Sequence, residues 1–273
     1  MSWSYVRRGT VGETLVCLHG VGGNASAFAP QLSGLSNRLQ VWSLDLPGYG
    51  DSAPLSEMDW GHLVLGLKQF LDQHHLHTIH LLGHSFGGML AQEFAARHPD
   101  YLASLILYST SAAFGSSDGV FQQQFIESRL KPLHEGTTMP QLAAVLIDPL
   151  LAQPSLPEVR QTAIDCMAQV SSDTYRQAIK CISVFDCRYN LPQLTLPTLL
   201  LAGAEDTVAS VPMMERLASK IQSAQICVLP HAGHLANLEQ ATLFNLQVSD
   251  FITQHDHDHE HEHEHEHEHR QGI

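Results

Sequence analysis

The chain is poor in cations and has no long apolar run. Fourteen Lys and Arg stand against 28 Asp and Glu in 273 residues, a formal charge of −14. Seven acids and one Arg between 255 and 270 account for six of those charges, leaving −8 on the remainder. A surface of that sign repels a polyphosphate backbone, which excludes nucleic acid as the expected partner. No stretch reaches the roughly 18 apolar residues of a membrane span. Residues 1–12 likewise hold no apolar segment of signal-peptide length. No membrane contact is expected, and the cytoplasm is the expected compartment. The five cysteines, Cys17, Cys166, Cys181, Cys187 and Cys227, are odd in number and contain no Cys-X-X-Cys pair. That pattern argues against a disulfide framework or a thiolate metal site, so they read as reduced packing residues.

What is present is enough apolar content, 44%, for one large domain with a full core. Strand-like segments at 14–19, 40–45, 78–83 and 104–109 alternate with helix-like ones at 27–35, 59–73 and 86–98. In the second helix Leu63, Leu67, Phe70 and Leu71 fall at helical spacing. Such alternation predicts α/β architecture, a mostly parallel central sheet flanked by helices. From 111 to 193 it stops, and four helical stretches follow at 121–130, 139–151, 157–170 and 174–183. Ser155 and Glu158 have the spacing of a capping box for the third. Some eighty residues are too many for a plain loop, so an inserted helical cap is expected, with helices packed on the sheet edge as the alternative. Strands resume at 196–202 and 225–229 around a helix at 211–221, and a last helix covers 240–253. The expected organisation is therefore a core of 1–110 and 194–254, a cap of 111–193, and a disordered tail, 255–273, in which His alternates with Asp or Glu.

Ser85 occupies the apex of Gly83-His84-Ser85-Phe86-Gly87, between a strand and a helix. Gly-X-Ser-X-Gly arises by composition alone in roughly one chain in ten of this length, so its weight comes from its surroundings. A tight strand-to-helix turn exposes the hydroxyl, which still needs a base, and the base needs an acid to hold its tautomer. Asp206 follows the strand at 196–202, and His234, in Gly233-His234-Leu235, follows the one at 225–229. Glu205 competes with Asp206, and His231, His84 and His19 compete with His234. Val21, in His19-Gly20-Val21-Gly22-Gly23, and Phe86 at the start of the helix after Ser85 offer backbone N–H groups for an oxyanion.

The order Ser, Asp, His, together with Asp45-Leu46-Pro47-Gly48-Tyr49-Gly50-Asp51-Ser52, resembles the α/β-hydrolase superfamily over about residues 10–251. Residues 233–240 and 197–206 are most similar to 3-oxoadipate enol-lactonases and related esterases. The resemblance implies an α/β-hydrolase fold and favours Asp206 and His234 over their neighbours. It implies a serine hydrolase of small carboxylic esters or lactones, acting through an acyl-enzyme with no cofactor and no catalytic metal. Carbon–carbon bond hydrolysis of ring-fission products, acyl transfer and perhydrolysis stay open on the same residues. So does a different class, a non-catalytic ligand-binding or metal-responsive protein on a hydrolase scaffold.

Among the cap cations, Arg129 is the candidate contact for a substrate carboxylate, against the plainer reading of a solvated charge. Phe121, Phe125, Ile126 and Leu130 share a helix face and are read as cap core or as substrate lining. The His- and acid-rich tail offers loose sites for Zn²⁺, Ni²⁺ or Cu²⁺, or is inert.

Overall fold

A computed structural model describes residues 2–270, without the side chains of 256–270. Seven strands form one sheet in the order β1-β3-β2-β4-β5-β6-β7. These are β1 (Tyr5–Arg8), β2 (Thr14–Leu18), β3 (Gln40–Leu44), β4 (Ile79–His84), β5 (Leu102–Tyr108), β6 (Thr198–Gly203) and β7 (Ala224–Leu229). All pairings are parallel except β1 with β3. β1 is missing from the sequence expectations because Tyr-Val-Arg-Arg is an exposed edge segment with no buried face to pattern it.

The parallel strands β2 to β6 are almost wholly buried on both faces, which is why they read as continuous apolar runs, whereas β7 at the sheet edge is largely exposed. Successive side chains alternate between two cores, as a period of two requires. Val16, Leu18, Leu105 and Leu107 point to one, and Leu15, Cys17, Ile106 and Tyr108 to the other. Helices α1 (Ala29–Gly34), α2 (Trp60–Gln73) and α3 (Phe86–Arg97) alternate with the first strands. In α2, the Asp59 side chain accepts from the His62 N–H at 2.8 Å, and Leu63, Leu67, Phe70 and Leu71 are buried as their spacing predicts.

Between β5 and β6 lie α4 (Val120–His134), α5 (Met139–Leu146), α6 (Pro157–Ala168) and α7 (Ser172–Ser183). The two ends of this helical insertion are tied together where they leave the sheet. Phe114 N–H donates to Phe185 O at 2.9 Å, and Cys187 N–H to Ala112 O at 2.8 Å. The capping box expected at Ser155 and Glu158 does not form. The N-cap of α6 is Leu156, with Pro157 supplying the first helical residue, whose missing N–H needs no partner there. A capping box instead joins Thr138 and Gln141 at the start of α5.

α8 (Val211–Ala218) separates β6 from β7, and the short α9 (Ala236–Glu239) precedes α10 (Ala241–Arg270). α10 continues past its expected end at 253, since no Gly or Pro interrupts the sequence there and Glu is a good helix former. The expected disordered tail, 255–273, thus begins inside a helix. Its side chains after His255, and the metal binding expected of them, lie outside the described residues. All five cysteines are free, four of them buried. Among the described residues no helix is long and apolar enough to cross a membrane.

Candidate active site

Ser85 follows the last residue of β4 with φ +50° and ψ −111°, a conformation side chains rarely adopt. Strain of this kind costs on the order of 1–3 kcal/mol and persists only where the surroundings enforce it. Here they do. Ser85 N–H donates to Tyr108 O at 2.9 Å, while the Ser85 carbonyl accepts from Thr110 Oγ1 at 2.8 Å and from Met89 N–H at 3.0 Å. The turn also closes only without side chains beside it. A Cβ on Gly83 would overlap the Gly87 carbonyl, and one on Gly87 would overlap the carbonyls of Leu18 and His19.

The loop after β2 meets this turn from the side. A Cβ on Gly20 would sit 2.9 Å from His84 Nδ1 and 3.4 Å from Ser85 Cβ. Its shape is held by Gly23 N–H on Gly20 O at 2.9 Å and by Tyr49 OH on Val21 O at 3.0 Å. His19 lies fully buried beneath it. Leu46 N–H donates to Nε2 at 3.1 Å, so Nδ1 is the donor to Gly20 O at 2.7 Å. Burial pushes the His19 pKa down to about 4, so the ring is neutral and braces the loop.

Asp206 and His234 converge from the ends of β6 and β7. His234 Nδ1 is 2.9 Å from Asp206 Oδ2, and Asp206 Oδ1 accepts from the amides of Val208 and Ala209. Burial acts to raise the Asp206 pKa, but the His234 ring and those amides outweigh it and hold the carboxyl at about 2. The competing pair is elsewhere. His231 is 86% exposed and faces the part-exposed Glu205 across 4.0 Å at the surface.

The backbone of His234 is equally tied. Its carbonyl accepts from His84 Nε2 at 2.9 Å and from Tyr108 OH at 2.8 Å, and its N–H donates to Leu150 O at 2.7 Å. His84 is therefore a buried brace, its pKa lowered by desolvation, with its ring stacked on Tyr108 at 4.4 Å. Tyr108 was not legible as a site residue, because it sits in no motif whose spacing announces its partner.

Ser85 and His234 open into one cavity of about 740 Å³ between the strand ends and the helical insertion. Val21 lies on its wall; Asp206 stands behind His234 rather than on it. Phe86 turns its side chain into the core against Trp60, ring centroids 5.4 Å apart. As the first residue of α3, its N–H lies outside the helix's own hydrogen-bond ladder. Phe121 and Phe125 of α4 face the cavity, whereas Leu130 is in the core and Ile126 packs against it, so the expected shared face divides between the two roles. Arg129 also faces the cavity, its guanidinium 5.5 Å from the Phe125 ring centroid, with no carboxylate partner among the described residues. No group of three or more His, Cys, Asp or Glu suited to a metal occurs among those residues.

A parallel sheet with a strained serine at one strand end, and an acid and a histidine at two later ones, defines a class of hydrolytic enzymes. The sequence model of the family described as alpha/beta hydrolase fold matches residues 13–241, and the chain belongs to that family as an α/β-hydrolase enzyme. It is 26% identical over 255 residues to a pimeloyl-[acyl-carrier protein] methyl ester esterase of Neisseria meningitidis serogroup B, covering 86% of this chain and 91% of that one. It is 28% identical to the dihydrolipoyllysine-residue acetyltransferase component of the acetoin cleaving system of Pseudomonas putida, covering 90% of this chain but only 65% of that protein. Among solved structures, the enol-lactonase from Burkholderia xenovorans superposes with a TM-score of 0.84 at 25% identity, covering 92% of this chain and 96% of that one.

Proposed function

We propose that the protein hydrolyses a carboxylic ester or lactone through an acyl-enzyme formed on Ser85. The observation that carries this reading is the bond from His234 to Asp206 behind a cavity that holds both His234 and the strained Ser85. A proton on Nδ1, shared with Asp206, leaves Nε2 as the base. Nε2 takes the Ser85 hydroxyl proton as Oγ attacks the carbonyl carbon. The oxyanion that forms is met by the amides of Val21 and Phe86. The imidazolium then protonates the departing alkoxide. Water enters, gives its proton to His234 and attacks the acyl carbon; the tetrahedral adduct collapses, and His234 returns the proton to Ser85 Oγ.

The helical insertion acts as the cap over this site and sets its substrate. Met89, Met167, Ile179, Ile182, Phe114 and Phe125 give the cavity an apolar wall with room for more than an acetyl group. Its placement at the wall supports Arg129 as the contact for an anionic group on the substrate. The enol-lactonase and methyl ester esterase relatives support ester or lactone chemistry.

A fluorophosphonate probe together with p-nitrophenyl esters of rising acyl length tests the reading. Ser85 is expected to be labelled in the native protein, and Ser85→Ala to lose on the order of 10⁴-fold or more in kcat. Near-normal turnover by Ser85→Ala would remove Ser85 from the mechanism; absence of labelling in the native protein would favour a binding protein.

A further inference from the structure

We propose that Glu239 is a positioning residue, fastening the helical insertion to the turn that carries His234, so that the cavity wall and the base are held as one piece. The proposal rests on the hydrolase reading of Ser85 and His234.

Glu239 closes α9 and is only partly exposed. Its Oε1 accepts from Ala152 N–H at 2.6 Å, and its Oε2 from Gly233 N–H at 2.8 Å. Ala152 belongs to the insertion, between α5 and α6; Gly233 immediately precedes His234. A third bond runs beside these two, from His234 N–H to Leu150 O at 2.7 Å. The segments touch without a gap, since a Cβ on Gly233 would overlap Leu150 O and come within 2.9 Å of Ala152 N.

The same piece of the insertion forms part of the cavity through Ile147 and Leu150. A substrate chain lying against those residues therefore presses on a strap bonded directly to the His234 backbone. Glu239 holds that strap with one oxygen on each partner, an arrangement that needs two acceptors. A glutamine has one acceptor and would turn an N–H toward the other donor. Ala152 and Gly233 are buried, so the amide left over has little access to water in exchange.

The test compares wild type with Glu239→Gln and with Ala152→Pro, which removes the donor from the insertion side and keeps the carboxylate. Two readouts are taken: steady-state hydrolysis of p-nitrophenyl butyrate, and the downfield NMR resonance of the His234 Nδ1 proton bonded to Asp206. In Glu239→Gln, kcat is expected to fall on the order of tenfold or more with KM within about twofold, because displacement of a base acts on the chemical step rather than on binding. The proton resonance is expected to broaden or disappear, and Ala152→Pro to move both readouts in the same direction. Loss of thermal stability with kcat and the resonance unchanged makes Glu239 structural only and overturns the proposal. If Glu239→Gln does not fold, an unperturbed resonance and normal kcat in Ala152→Pro overturn it instead. If Ser85 of the wild type takes up no fluorophosphonate, the hydrolase reading is what has failed; the resonance then decides the clamp alone, and its persistence in Glu239→Gln overturns it.

Discussion

The Asp206 carboxylate gives one oxygen to His234 Nδ1 at 2.9 Å, while its other oxygen is already engaged by the amides of Val208 and Ala209 at 2.8 and 2.9 Å. The carboxylate is thus oriented before it meets the imidazole. In Asp206→Asn the amide oxygen is expected to stay on the two backbone donors and turn the NH₂ toward Nδ1. His234 would then carry its proton on Nε2, where it cannot accept from Ser85. On the proposed mechanism, kcat should fall by about 10³- to 10⁴-fold with the fold intact. Steady-state kinetics beside a circular dichroism spectrum checks this, and a loss below tenfold contradicts the assigned role.

The close approach at Ser85 is a stability statement as well. Gly87→Ala places a methyl group against the backbone carbonyls of Leu18 and His19, which belong to the neighbouring strand and its loop. Backbone cannot rotate away as a side chain can, so a loss of about 2–4 kcal/mol is expected. Gly119→Ala meets nothing within 4 Å and is strained only by its φ of +75°, so about 1 kcal/mol is expected. Urea unfolding of the two variants should rank them in that order.

Acid is expected to destabilise this protein through its buried histidines. His19 has a folded pKa of about 4 against an ordinary 6.5, because burial disfavours its charged form. Between those values the unfolded chain binds a proton that the folded one does not. Stability is therefore expected to fall as pH drops from 6.5 to 4, by at most about 1.4 kcal/mol per unit from this group. Burial of His84 acts in the same direction. Asp206, held at about 2, adds a further loss only as pH falls below its ordinary 3.8. Unfolding midpoints across pH 4–8 should show the decline, and His19→Gln, which keeps a donor and an acceptor but cannot titrate, should flatten it.

Arg129 brings a positive charge to the cavity wall beside Phe125. On the proposed reading, Arg129→Met lowers kcat/KM about tenfold for an ester whose acyl chain ends in a carboxylate and leaves a neutral ester of equal length unchanged. Paired p-nitrophenyl esters measure this. Equal losses on both would make Arg129 a packing residue of α4.

Much of this was legible in the chain. Six of the seven strands announce themselves as apolar runs, five of them because they are parallel and buried on both faces, whereas the edge strand β1 carries no such mark. Ser85, Asp206 and His234 could each be placed at the end of a strand. Their short-range surroundings also follow from local sequence, since glycine at 83 and 87 is what lets the turn exist. Phe121 and Leu130 could not be sorted in advance, because spacing reports a shared helix face and not what packs against it.

The sequence by itself determined the alternating architecture and the order of Ser85, Asp206 and His234 along it, because strand burial, helix period and tight turns are all properties of neighbours in the chain. Only the tertiary structure decided that His234 rather than His231 meets an acid in the interior, that His84 and Tyr108 hold its carbonyl, and that Glu239 joins its turn to the insertion. Those bonds link residues from 28 to 150 positions apart, and their partners are chosen by how strands and insertion pack, which no local spacing encodes.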